Sequence, residues 1–329
     1  MFPLSEKPTW SIRDSSKLET FLRCKRRYFY EYMLGWRTDI PMQDAHFGEA
    51  FHKAREYQLT HGYDQIEGAF NAFITCYREK FAPETDEYYR PKDPTGALMA
   101  IQKFAEERKH DLLENEVVEL DGVKMLEISG TVPVDSKRVL HYRMDSIMRR
   151  KADGKIFSWD HKTTKRFSKQ WRERFHLSLQ NGTYTHCLYC MFPIEMVLGM
   201  EFDGIAFEFL TRNSRARSAG YHISFEQVPA FKTPDQMNTW LWTTLDLLDR
   251  LDRETDRLFS CSEDDAVMQA FPMNPTSCTD FFGCPYHDFC LAWQNPLQHC
   301  YEPPLGYHEE HWDPSAMNTT VKKDLNWRQ

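Results

Sequence analysis

Trp159-Asp160-His161-Lys162 is the stretch that decides how this chain is read. Lys155 to Asp160 carries the partial alternation of a strand, Val139 to Arg149 reads the same way, and Asp153-Gly154 between them is a hairpin turn signal. Asp145 lies in the first strand and Asp160 at the end of the second, so a hairpin sets two carboxylates on neighbouring strands within reach of one ion. Lys162, two residues beyond Asp160, points to the same face of an extended chain. Phosphodiester hydrolysis needs an activated water and a neutralised leaving oxygen, and Mg2+ or Mn2+ on carboxylate ligands supplies both. Lys162 is then placed to orient the water or hold the phosphate, and the His161 carbonyl to serve as a further metal ligand. An Asp-x-Lys triplet alone is common in proteins. The order of elements around it carries the weight.

Working outward, Ser15 to Leu34 reads as a helix with Ser15 or Ser16 as N-cap, aromatics Phe21, Tyr28, Phe29 and Tyr32 at helical spacing, and Gly35 at its end. Further helices are expected over Asp44 to Thr60, Gln65 to Phe81 and Thr95 to Glu114. Glu127 to Val134 joins the two strands of the hairpin. A basic loop or short helix follows from Thr163 to Arg174, then a helix from Leu177 to about Met191 bearing Gln180 and Tyr184. Strands at Phe202 to Leu210 and Tyr221 to Glu226 precede a long helix from Pro234 to about Phe259. The pattern predicts an α/β chain, a small mixed sheet in a helical shell, with a loop-rich C-terminal part.

The 329 residues are 41% hydrophobic and 14% aromatic, which supports a sizeable core rather than extensive disorder. No apolar run is long enough to span a bilayer, and Met1 to Trp10 does not resemble a signal peptide. A cytoplasmic or other reducing compartment is expected. Net charge is −8, yet Lys137 to Arg174 holds 13 Lys and Arg against four Asp and Glu. A basic belt on an acidic body fits a polyanion channel, and equally a solvated face. Lys165, Arg166, Lys169 and Arg172 are its candidate nucleic-acid contacts. Trp159, Phe167, Trp171 and Phe175, interleaved with them, read equally as stacking faces for bases and as ordinary packing.

Nine cysteines in such a compartment are no disulfide framework. Cys278, Cys284 and Cys290 are separated by five residues each, and Cys24 lies far upstream in Arg23-Cys24-Lys25-Arg26-Arg27. Four thiolates satisfy either a 4Fe–4S cluster or a tetrahedral zinc. Cys187 and Cys190 read as buried small residues, and Cys76, Cys261 and Cys300 have no evident partner.

The whole constellation resembles the PD-(D/E)XK nuclease superfamily, in its RecB-like branch with an iron–sulfur cluster. That branch includes the CRISPR-associated RecB-type exonucleases and the nuclease domains of bacterial helicase–nuclease complexes. Its Gly-x-x-x-His motif matches Gly48-Glu49-Ala50-Phe51-His52, its core aspartate Asp145, its Asp-x-Lys Asp160 and Lys162, and its Gln-x-x-x-Tyr motif Gln180 to Tyr184. The resemblance implies that His52 binds the metal, where a lone histidine on a helix face would read as core. It implies that Gln180 and Tyr184, on one helical face, contact DNA near the active site. It also implies one cluster cysteine before the core and three after it, which favours 4Fe–4S over zinc. Cys278-x5-Cys284 departs from the two-residue spacing of many members. The implied fold is restriction-endonuclease-like: a helical region over residues 1–120 with Cys24 and His52, a core over 121–230, and a C-terminal helix and iron–sulfur segment over 231–329 stapled to the N-terminal region, all one nuclease unit.

The expected activity is therefore that of a Mg2+- or Mn2+-dependent deoxyribonuclease, an exonuclease acting on DNA ends or single strands in recombination, repair or phage DNA metabolism. The chain has no phosphate-binding Gly-x-x-x-x-Gly-Lys-Ser/Thr loop, so any helicase or recombination partner would be a separate polypeptide. The alternative is a non-catalytic DNA-binding scaffold with the same fold and a zinc or iron–sulfur staple. The complete set of Asp145, Asp160 and Lys162 argues against it.

Overall fold

A computed structural model describes residues 3–211, 219–280, 283–314 and 321–327. Phe281 and Phe282, inside the Cys278–Cys284 spacing, lie outside the described residues. The chain divides into two compact units. One takes residues 1–40, 130–142 and 233–318, and the other 41–129, 143–232 and 319–329.

A seven-stranded mixed sheet runs in the order Val321–Lys322, Leu126–Pro133, Val139–Arg150, Ile156–Thr164, Val197–Leu210 and Gly220–Phe231, with Asn115–Val117 also on Val139–Arg150. Ile156–Thr164 pairs antiparallel with Val139–Arg150 through the Asp153-Gly154 turn, where Gly154 takes φ +72°. It pairs in parallel with Val197–Leu210, which sets Asp160 opposite Phe202, His161 opposite Asp203 and Lys162 opposite Gly204. The expected strands are all present. Asn115–Val117 and Val321–Lys322 were not anticipated, because two or three residues are too few to show a period.

In the unit of residues 41–129, 143–232 and 319–329, the helix Gln43–His61 runs close to its expected bounds. Phe47 and Phe51, four apart on its buried face, pack edge-on to Phe207 with ring centroids 5.0 and 5.7 Å away. Fully burying an aromatic of this size contributes about 2–3 kcal/mol, so this face holds the helix on the sheet and fixes where His52 sits. The helix Ile66–Tyr77 closes over the same aromatics through Phe73. Pro94–Glu107 is capped by Asp93, whose side chain accepts the Gly96 N–H, with Pro94 in the first turn.

The other unit corrects the reading of Ser15 to Leu34. Its helix starts at Ser15, but the N-cap is Asp14, whose carboxylate accepts the Lys17 N–H at 2.8 Å. The helix then stops at Arg23. Cys24 is extended (φ −158°, ψ 113°), Lys25–Tyr28 resumes one helical turn, and Phe29–Met33 widens into a π-turn. The aromatic spacing carries on across this break because Phe21, Tyr28, Phe29 and Tyr32 are all buried, which is why the sequence reads as one helix. Gly35 ends the segment at φ +71°, where a Cβ would lie 2.9 Å from the His311 ring. Pro234–Phe259 has its expected bounds and a capping box between Thr233 and Gln236.

Candidate active site

The ladder of the hairpin pairs Ser146 with Trp159, and beyond that pair the Asp145 carboxylate takes over from the backbone. Asp145 accepts the N–H of His161 at 2.8 Å through Oδ2. His52 reaches in from the helix Gln43–His61. Its Nε2 donates to the His161 carbonyl at 2.8 Å, and its Nδ1 lies 3.4 Å from Asp145 Oδ2. Burial works against a charge on His52, but Asp145 and its hydrogen bond, with Glu127 and Asp160 behind, outweigh it and push the imidazole up to about 9. Burial likewise opposes the Asp145 carboxylate, and His52 more than offsets it, holding Asp145 well below the usual carboxylate range.

Asp160 is 2% exposed. Lys162 Nζ lies 2.5 Å from its Oδ2, and the Gln180 amide donates to its Oδ1 at 2.8 Å. Burial pushes the Asp160 carboxyl up against the pull of Lys162, and Asp145 adds to the rise. The same Gln180 amide donates to the Tyr184 hydroxyl at 3.3 Å. Burial, then the Asp160 charge, push the Tyr184 phenol far up, so it stays an O–H donor. Ser178 caps the helix Leu179–Met191, and Asn181, fully buried, donates to the carbonyls of Ala230 (2.8 Å) and Phe175 (3.1 Å). That anchor fixes the turn from which Gln180 and Tyr184 project.

The opposite face of the Asp160 strand carries a buried ionic network that the sequence reading missed. His161 Nδ1 sits 3.1 Å from Asp203 Oδ2, Arg108 Nη2 is 3.0 Å from Asp203 Oδ1, and Arg55 Nη2 is 3.7 Å away. Burial keeps His161 neutral despite Asp203, while Arg108 and His161 hold Asp203 far down against its own burial. Arg55 follows His52 by three residues on the same helix, so one helix binds both the His161 carbonyl and the carboxylate that faces the His161 ring. No local pattern signals this, because Arg55, Arg108, His161 and Asp203 meet only in three dimensions.

Glu127 was also missed, although it opens an expected strand. It is 2% exposed, at φ +46°, and Arg143 donates to its Oε2 from Nη2 (2.6 Å) and Nε (3.1 Å). Donor atoms of His52, Glu127 and Asp145 lie within 4.8 Å of one another. Imidazole nitrogen and carboxylate oxygens are the donor chemistry of Mn2+ and, for the oxygens, Mg2+. Glu49 faces His46 instead, at 3.3 Å, and is exposed.

The basic segment stands where the reading put it, after Lys162. Lys165, Arg166, Lys169 and Arg172 are exposed. Lys169 lies 3.5 Å from Glu173, and Arg172 forks onto Glu226 (Nη2–Oε2 2.7 Å). Trp159, Trp171 and Phe175 are buried, so of the two readings for these rings packing is the one the fold adopts. Gly204, opposite Lys162, makes that packing possible, since a Cβ there would lie 2.3 Å from Trp171.

In the other unit, Cys24, Cys278, Cys284 and Cys290 line one pocket with Arg23, Arg27, Met273 and Tyr286. The break at Cys24 is what turns its sulfur inward, where it accepts the Asn274 N–H at 3.4 Å. Cys278 reaches the Asn274 carbonyl, and its own carbonyl accepts the Cys284 N–H at 2.9 Å. Burial pushes the Cys290 thiol up to about 11 against the pull of Arg26, with the other three cysteines adding to the rise. Among the described residues no three of these four sulfurs fall within 4.8 Å of one another. Tetrahedral zinc with bonds of about 2.3 Å would hold them about 3.8 Å apart.

No curated protein matches the chain. Among solved structures, one titled "Crystal structure of SSO0001" is similar at 12% identity and a TM-score of 0.23, over 71% of this chain and 82% of that one, a likeness too loose to bear on function. Among the described residues no helix is long and apolar enough to cross a membrane. The family model of the PD-(D/E)XK nucleases matches residues 15–291, from the first helix through Cys290, and with that span the chain belongs to the PD-(D/E)XK nuclease superfamily.

Proposed function

We propose that this chain is a Mg2+- or Mn2+-dependent deoxyribonuclease that works on DNA ends or single strands, an exonuclease of recombination, repair or phage DNA metabolism in a reducing compartment. One observation carries the reading: Asp145, Asp160, Lys162 and His52 converge where the hairpin ladder ends. His52, Asp145, Asp160 and the His161 carbonyl would hold the ion, a set of oxygens and one imidazole that fits it. A bound divalent ion supplies Lewis-acid polarisation of the phosphate and an acidified water. Lys162 Nζ leaves Asp160 to orient that water or the scissile phosphate. Gln180 exchanges its bond to Asp160 for one to the substrate, and Tyr184 donates its O–H beside it. Lys165, Arg166, Lys169 and Arg172 hold the strand by its phosphates, so binding weakens with salt.

The four-thiol pocket is read as the seat of a 4Fe–4S cluster rather than zinc, in keeping with the resemblance, which implies one cysteine before the nuclease core and three after it. Cluster binding requires thiolates, which burial disfavours at Cys284 and Cys290 until iron supplies the opposing charge.

Anaerobic purification with iron and zinc analysis, then incubation with end-labelled DNA with and without Mn2+, tests both sites. Iron-containing protein that releases label only with the divalent ion supports the reading. Iron-free protein that binds DNA without cutting it refutes the reading and favours the non-catalytic scaffold.

A further inference from the structure

We propose that Glu127 is itself a metal donor, completing with His52 and Asp145 a three-residue set for a divalent ion; this deepens the nuclease reading and rests on it. The three side chains bring donor atoms within 4.8 Å of one another, and the motifs Gly-x-x-x-His, Asp and Asp-x-Lys account for only two of them. Glu127 is no solvent-facing carboxylate, being 2% exposed. Burying a carboxylate against a second one is unfavourable without matching positive charge. Arg143 supplies part of that charge. The two bonds it gives Glu127 both go to Oε2, and Oε1 takes neither of them. Arg143 thus fixes the direction of the carboxylate, as outer partners of metal ligands do. One imidazole nitrogen with two carboxylate oxygens suits a first-row divalent ion such as Mn2+.

The competing role is purely architectural: Glu127 would only hold Arg143. Mn2+ titration of the whole purified protein, followed by electron paramagnetic resonance of the free ion, separates the two without reference to cutting. Glu127→Gln keeps an acceptor for Arg143 but loses the charge, whereas Arg143→Met loses the clamp and keeps the carboxylate. Losing an outer partner costs about 10–100-fold in metal affinity. Glu127→Gln is expected to weaken Mn2+ binding more than Arg143→Met does, with a melting temperature at or above that of Arg143→Met. Mn2+ affinity in Glu127→Gln equal to or better than in Arg143→Met would overturn the proposal. If Glu127→Gln does not fold, Glu127→Asp, which keeps the charge and shortens its reach, is read by the same comparison. Asp145→Asn runs alongside. Unchanged Mn2+ affinity there would mean that the underlying nuclease reading has failed, rather than the assignment of Glu127 alone.

Discussion

The carboxylate site and the cysteine pocket differ in how their charges are balanced before any metal arrives. Asp145 already faces a raised His52, Asp160 already faces Lys162 and Gln180, and Glu127 already faces Arg143. That site can form without an ion. Cys24 and Cys278 have weak sulfur contacts to the Asn274 backbone, and at Cys284 and Cys290 burial disfavours the thiolate more than the nearby Arg27 and Arg26 favour it. Removing metal from the first site should therefore cost activity and leave the fold, and removing it from the second should cost the fold.

The largest expected effect tests the second half of that contrast. Cys284→Ser should lose iron and several kcal/mol of stability, since metal binding to such a pocket is folding free energy. Iron content and thermal melting check it, and a variant with normal melting would break the contrast. Lys162→Met should slow DNA cleavage by roughly 10²–10³-fold, the scale of losing one positioned electrostatic group, while melting stays close to the parent.

The pH dependence is narrower. His52 is raised to about 9 from 6.5, so its pairing with Asp145 stabilises the ion-free protein fully below about pH 6.5 and is lost as pH rises through about 9. A metal ligand must be the neutral imidazole, so Mn2+ affinity should climb across the same interval while the melting temperature of the ion-free protein falls. Calorimetry from pH 6.5 to 9 would show both trends, and flat Mn2+ affinity would remove His52 from the ligand set. Two glycines give the smallest effects and opposite signs. Gly204→Ala should destabilise by about 1–3 kcal/mol through the clash with Trp171. Gly48→Ala meets only Thr163 Oγ1 at an ordinary 3.6 Å and should gain about 0.5–1 kcal/mol of helix propensity.

The sequence exposed those parts of the site that a short period places. Asp160 and Lys162 share a strand face because they are two apart, Gln180 and Tyr184 share a helix face because they are four apart, and the Asp153-Gly154 turn sets Asp145 against them. The sheet and its main helices were legible for the same reason. Glu127, Arg55, Asp203 and Asn181 were not, because each earns its place through partners distant in sequence: Arg143 for Glu127, Arg108 and His161 for Asp203, Ala230 for Asn181. The interruption at Cys24 was hidden by aromatics whose helical spacing continues past it. A turn of backbone there alters no composition, only the direction in which one sulfur points.

On the reading proposed above, Asp145, Asp160 and Lys162 form a working metal-dependent cutting site. The most direct test follows Asp160→Asn and the parent protein on end-labelled single-stranded DNA with Mn2+, measuring binding and label release in the same samples. The variant should bind DNA with near-parent affinity, match the parent's metal content at the cysteines and its melting temperature, and release no label. Label release by Asp160→Asn at close to the parent rate would contradict it.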